Sequence, residues 1–174
     1  VGVTLFLMLL AAAQAFPERS MRSSWASIAL LPGTSKQSNH TDLQPDHVLT
    51  GDELAVASSL DTVGDEPITV LQVALPESGA TSVRVPGSDV VPKQGEYLAS
   101  PALAERIASL PADQLGDRYG KQVGVLGPEA VEGPDSLVAV VGTDLGTMTS
   151  SQSFIPPQVV TSFQGIPYEN EAYR

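Results

Sequence analysis

Two imidazoles and two carboxylates, His40, Asp42, Asp46 and His47, lie close together in the sequence, and that combination of donors can ligate zinc. His40 and His47 stand seven residues apart in polar sequence interrupted by Pro45, with no rigid element to fix a tetrahedral site. They read as solvated loop residues. Asn39-His40-Thr41 matches a glycosylation acceptor pattern, which matters only in a eukaryotic secretory route and is discounted. Ser100 precedes a helical pattern, but a hydrolase nucleophile would sit in G-x-S-x-G, and no such motif is present. Its type and place instead suit a helix N-cap, a side-chain oxygen accepting free N–H groups. Asp61-Thr62 resembles half of an aspartic-protease loop, yet Val63 stands where that loop needs glycine and no second aspartate loop follows. Phosphate-cradling motifs are absent, and Gly124 and Gly127 flank a strand end without a basic partner. No catalytic, cofactor-binding or metal residue is therefore assigned, and the chain is read as non-enzymatic.

The elements that would hold such residues belong to a chain of 174 residues, enough for one domain of ordinary size. Hydrophobic residues make up 42%, but aromatic residues only 5%, and 14 prolines with 15 glycines require irregular stretches around the core. A net charge of −11 repels phosphate backbones, so nucleic acid is not expected as a partner. Without cysteine there are no thiolate metal sites, disulfides or thiol nucleophile, and compartment is not decided by redox chemistry.

Residues 1–16 carry no charge, and only Thr4 and Gln14 are polar. A helix of that length spans about 24 Å, short of the roughly 30 Å hydrocarbon core. The segment reads either as the end of a transmembrane helix that begins upstream or as a signal-peptide core ending at Ala13-Gln14-Ala15. The helix is preferred because no basic n-region precedes the segment and because Met21, Trp25, Ile28 and Ala29 continue an amphipathic stripe to Pro32-Gly33. Trp25 suits either an anchor at the headgroup level or packing in that stalk, with packing preferred. Arg19 and Arg22, offset by Glu18, do not settle topology.

Residues 34–52 are polar and without period, a surface linker expected to add nothing to a core. Residues 53–60 suit a strand better than a short helix, and 61–67 turn the chain. The β-branched run 68–75 is the clearest strand, and 76–92 is a loop with at most a short strand at 82–85. A strand at 96–99 leads through Ser100 and Pro101 into a helix reaching about Leu110, with Leu103, Ile107 and Leu110 on its sheet-facing stripe. A short helical piece follows at 111–115, then strands at 121–126 and 136–141, with an edge strand at 159–163. The fold expected is α+β: a small mixed sheet of three or four strands with one or two helices packed on it, preceded by the transmembrane or stalk helix. The division is 1–31 helix end and stalk, 32–52 linker, 53–163 module and 164–174 tail.

The stretch GEYLASPALAERIASLPADQLGDRYG followed by KQVGVLGPEAVEGPDSLVAVVG resembles the extracellular domain of FtsX-like (MacB-like) ABC transporter permeases of Gram-positive bacteria, over roughly 52–142. The resemblance implies a first membrane helix leading into an extracellular module, then further membrane helices coupled to a separate cytoplasmic ATPase. Expected partners are membrane lipid, through the N-terminal helix, and that ATPase, with a permease dimer allowed. The expected location is the cell membrane with the module outside. No cofactor and no substrate-binding residue is implied. The alternative from the residues alone is a secreted or surface-anchored binding protein with a cleaved signal peptide.

Overall fold

The structure is a computed structural model that describes residues 40–44, 46–131, 133–150 and 157–163. The expected membrane helix and stalk, Trp25, Asn39, the whole of the expected tail and the first part of the linker lie outside them. Among the described residues no helix is long and apolar enough to cross a membrane.

The architecture is α+β. Strands β1 (His40–Asp42), β2 (Leu54–Val63), β3 (Glu66–Ala74), β4 (Glu96–Ala99), β5 (Lys121–Val125), β6 (Val138–Gly142) and β7 (Gln158–Val160) form one mixed sheet in the order β1-β7-β2-β3-β6-β4-β5. Helix α1 (Pro101–Ser109) follows β4, and helix α2 (Leu145–Ser150) follows β6. A π-helical turn spans Ala112–Gly116 and a 3₁₀ turn Pro128–Ala130.

β3 sits near the middle because its run of apolar residues can be buried on both faces: Leu71 and Val73 point one way, Ile68 and Val70 the other, and all four are buried. It pairs antiparallel with β2 and parallel with β6. The β2–β3 connection is a two-residue turn at Gly64-Asp65, where Gly64 has φ 58°, a conformation glycine adopts without steric cost. The turn is tighter than the expected 61–67, and Pro67 lies inside β3. Proline is tolerated there because β6 pairs only with Thr69–Val73, so Pro67 has no ladder bond to donate on that side.

One sheet face carries Leu54, Val56, Leu71, Val73, Leu98, Val138, Val140 and Val160. Loops cover it, including Val83 and Val85, which are buried although 82–85 forms no strand. Helices cover the opposite face. Leu103 of α1 packs with Ile68, Val70, Tyr97 and Ala139, with Ile107 and Leu110 at the margin as their spacing predicts. Met148 of α2 fills the space left by the small side chains Ala55, Ala57 and Ala74.

Three expectations need correction. Among the described residues the sheet has seven strands, not three or four. β1 and the buried Leu49 come from the segment expected to be a coreless linker: β1 needs only three residues of backbone pairing, which low hydropathy does not prevent. β7 is not an edge strand, because it lies between β1 and β2. The sequence reading also missed α2, whose six residues show too little apolar periodicity to stand out.

Candidate functional site

Among the described residues, the densest group of interacting polar side chains lies where the far end of the β2–β3 hairpin meets the segment between α1 and β5. Asp61, near the end of β2, is held from three directions: Tyr119 donates its hydroxyl to Oδ2 at 2.7 Å, Arg118 donates Nη1–H to Oδ1 at 2.9 Å, and the Thr62 N–H donates to Oδ1 at 2.7 Å. Arg118 also donates to the carbonyls of Thr62 at 2.8 Å and Gln114 at 2.9 Å. The Tyr97 and Tyr119 rings pack at 5.7 Å between centroids with planes tilted by 59°, a favourable aromatic geometry. Beside them Arg106 of α1 pairs with Glu66 of β3. The unit α1–β5 thus grips the hairpin tip at two places.

Local sequence explains these positions. Gly120, with φ 91°, packs its Cα side against the Gly95 backbone, so no side chain fits there and the chain can turn directly from Tyr119 into β5. The turn Ala112–Gly116 brings Gln114 under the Arg118 guanidinium.

The charges are settled by these contacts. Burial raises the Asp61 pKa, but hydrogen bonds from Tyr119, the Thr62 N–H and Arg118 outweigh it and hold the carboxyl below its ordinary value. Burial pushes the Tyr119 phenol up, and its hydrogen bond to Asp61 pushes it further. The carboxylate is thus held on both oxygens, by Tyr119 on one and by Arg118 and the Thr62 N–H on the other. Asp61 therefore serves as a tie between chain segments. The protease resemblance at Asp61-Thr62 is superficial, since the carboxylate is committed to Arg118 and Tyr119.

Ser100 lies at the centre of the fold and is fully buried. Its Oγ accepts from the Leu103 N–H at 3.3 Å and the Val138 N–H at 3.1 Å and donates to the Ser136 carbonyl at 2.6 Å. The hydroxyl caps α1 and also joins the helix start to β6, which leaves it no freedom to act as a nucleophile.

His47 Nε2 lies 3.0 Å from Glu53 Oε2, and Glu53 also accepts from the Thr50 N–H at 2.9 Å. Asp42 is in β1, and Asp46 is exposed in the turn that follows. Among the described residues no cluster of three or more His, Asp or Glu could hold a metal ion. Asp144, unremarked in the sequence, caps the start of α2 through Thr147 N–H and Oγ1, at 2.8 and 2.6 Å, and receives Gln94 Nε2 at 3.1 Å.

Arg118 and Tyr119 were missed as partners of Asp61. Their only signal is the polar DRYG run between two apolar elements, and nothing local links it to a residue 57 or 58 positions earlier. Compared with protein-family models, with curated proteins and with solved structures, the chain matches none.

Proposed function

We propose that this chain supplies the extracellular module of a bacterial ABC transporter permease of the FtsX-like type, a non-catalytic part that follows or transmits movements of membrane helices driven by a separate cytoplasmic ATPase. One observation carries the proposal. β1 and β7 are antiparallel neighbours with His40 opposite Val160, so the chain enters the described fold beside the place where it leaves. Opposed Cα atoms in such a pair are about 4.5–5.5 Å apart. A module inserted between two neighbouring membrane segments needs its two ends together on one side, and this sheet has them there. The uncharged residues 1–16 are the part assigned to lipid. In the strand–Ser100–α1 unit, on which the resemblance to these permeases rests, β4 lies between β6 and β5, α1 packs on the sheet face, and Ser100 is the joint.

The second reading, a secreted or surface-anchored binding protein, is favoured by one feature, the small-residue sequence Ala13-Gln14-Ala15 after the apolar stretch. Mass determination of the chain recovered from cells separates the two. The permease reading expects residues 1–16 intact on material that stays in the membrane fraction after alkaline carbonate washing. A chain starting at Phe16 and released to the medium would overturn it.

A further inference from the structure

The far half of the β2–β3 hairpin projects from the sheet. β7 pairs with β2 only at Leu54–Val56, and among the described residues no strand lies along the same flank from Ala57 to Val63. A strand with one flank open is a template for pairing with another chain.

The hydrogen-bonding direction of each residue on that flank follows from the register. Thr62 stands opposite Pro67, which has no N–H, so the alternation of an antiparallel pair turns the backbone groups of Thr62, and with them Leu60 and Ser58, away from β3. The Thr69 N–H, which donates to the Leu137 carbonyl of the chain beside β3, fits the same alternation. Leu60, 79% exposed, is the largest apolar side chain on the overhang.

A second copy of this chain could add here symmetrically. With β2 antiparallel to its counterpart and centred on Leu60, Leu60 would face Leu60, and Ser58 would face Thr62 in both directions. Every outward N–H and carbonyl would then find a partner. Thr62 is already occupied, however: its N–H donates to Asp61 Oδ1 and its carbonyl accepts from Arg118. Tyr119 holds the other oxygen of Asp61 and so fixes the carboxylate against Thr62. The opposite edge of the sheet is blunted by other means, the irregularity between β4 and β5 at Val123 and the charge of Lys121.

We propose that Asp61, Arg118 and Tyr119 form a lock on the open flank of the β2–β3 hairpin, which prevents a second copy of the chain from pairing its own β2 there. The Arg118 guanidinium occupies the carbonyl, the Asp61 carboxylate occupies the amide, and the symmetric ladder loses both of its outer ends.

The chain has no native cysteine, so Leu60→Cys in the full-length protein, purified in detergent and oxidised, reports strand pairing across the two-fold as a disulfide dimer. The dimer yield is expected to be low with Arg118 present. It should rise at least about tenfold in the double variant Leu60→Cys/Arg118→Ala, the factor corresponding to one lost charge-assisted hydrogen bond. Leu60→Cys/Arg106→Ala, which breaks the neighbouring ion pair and leaves Thr62 covered, should stay at the low level. Equal yields with and without Arg118 would overturn the proposal. Should Arg118→Ala unfold the module, amide hydrogen exchange of the unaltered protein decides: the Thr62 amide is expected to exchange more slowly than that of Leu60, and equal or faster exchange at Thr62 would contradict the lock.

Discussion

Replacing Ser100 by alanine removes one oxygen and disturbs three elements at once. The hydroxyl caps α1 at Leu103, accepts from the Val138 N–H of β6 and donates to the Ser136 carbonyl before that strand. Loss of a serine N-cap costs about 1 kcal/mol. A buried backbone group left without a partner costs about 1–3 kcal/mol. Val138 is buried and Ser136 half-buried, so the lower part of that range applies to each, and the total comes to roughly 3 kcal/mol. At about 4 °C per kcal/mol for a domain near this size, the midpoint should fall by roughly 12 °C. Urea or thermal unfolding of the full chain followed through the near-ultraviolet signal of the Tyr97–Tyr119 pair reads the folded module selectively. Ser109→Ala, at the exposed end of the same helix, is the control; it loses only a bond to the Arg106 carbonyl and should stay within about 0.5 kcal/mol of the unaltered protein. A Ser100→Ala variant as mild as that control would refute the claim that this hydroxyl joins helix and sheet.

Gln158 is fully buried in β7 and neither amide atom has a hydrogen-bond partner among the described residues, so Gln158→Met, similar in volume and without those atoms, should raise stability by about 1–2 kcal/mol in urea titrations; a loss of that size would mean the amide is satisfied. Gly120→Ala should destabilise by about 2 kcal/mol or more, because the backbone sits at φ 91° and the new methyl would meet the Gly95 carbonyl; unchanged thermal unfolding would count against the close approach. The Asp61–Tyr119 tie sets a pH window. Asp61 has a folded pKa below its unfolded value of about 3.9, so its contribution is present above that pH and lost as pH falls further. Tyr119 has a folded pKa above its unfolded value of about 10, so its contribution is present below that pH and lost as pH rises through the folded value. Denaturation midpoints across pH should therefore show a plateau between these limits, and Tyr119→Phe should flatten the alkaline fall; an unchanged alkaline limb would remove Tyr119 as its source.

How far the sequence carried the fold depended on whether the signal was local. β4, Ser100 and α1 were legible because strand, cap, proline and apolar stripe follow one another within fourteen positions, each with its own propensity. β3 was legible because a continuous β-branched run has few other uses. β1 was not, since its three residues gain their strand character only from Val160, Val159 and Gln158 across the ladder, more than a hundred positions away. For the same reason β7 reads as an edge from sequence: its second neighbour lies in a polar stretch with the composition of a linker. Pro67 suggested a turn by its type, whereas the short reach of β6 along β3 leaves room for it in a strand. Asp61 was picked out for a motif it only half matches, while its actual partners come from a turn that the sheet order alone brings to the hairpin tip.

The proposed function requires the module to stand outside the cell on a chain anchored in the membrane. Glu77 is exposed in the turn after β3, and the absence of native cysteine makes Glu77→Cys a single labelling site in the full chain. Intact cells of the native host are treated with a membrane-impermeant maleimide, then washed and fractionated. The expected result is full labelling before lysis on protein that remains in the carbonate-washed membrane fraction. Labelling only after lysis, or labelled protein recovered entirely in the aqueous fraction, would rule out a membrane-anchored extracellular module.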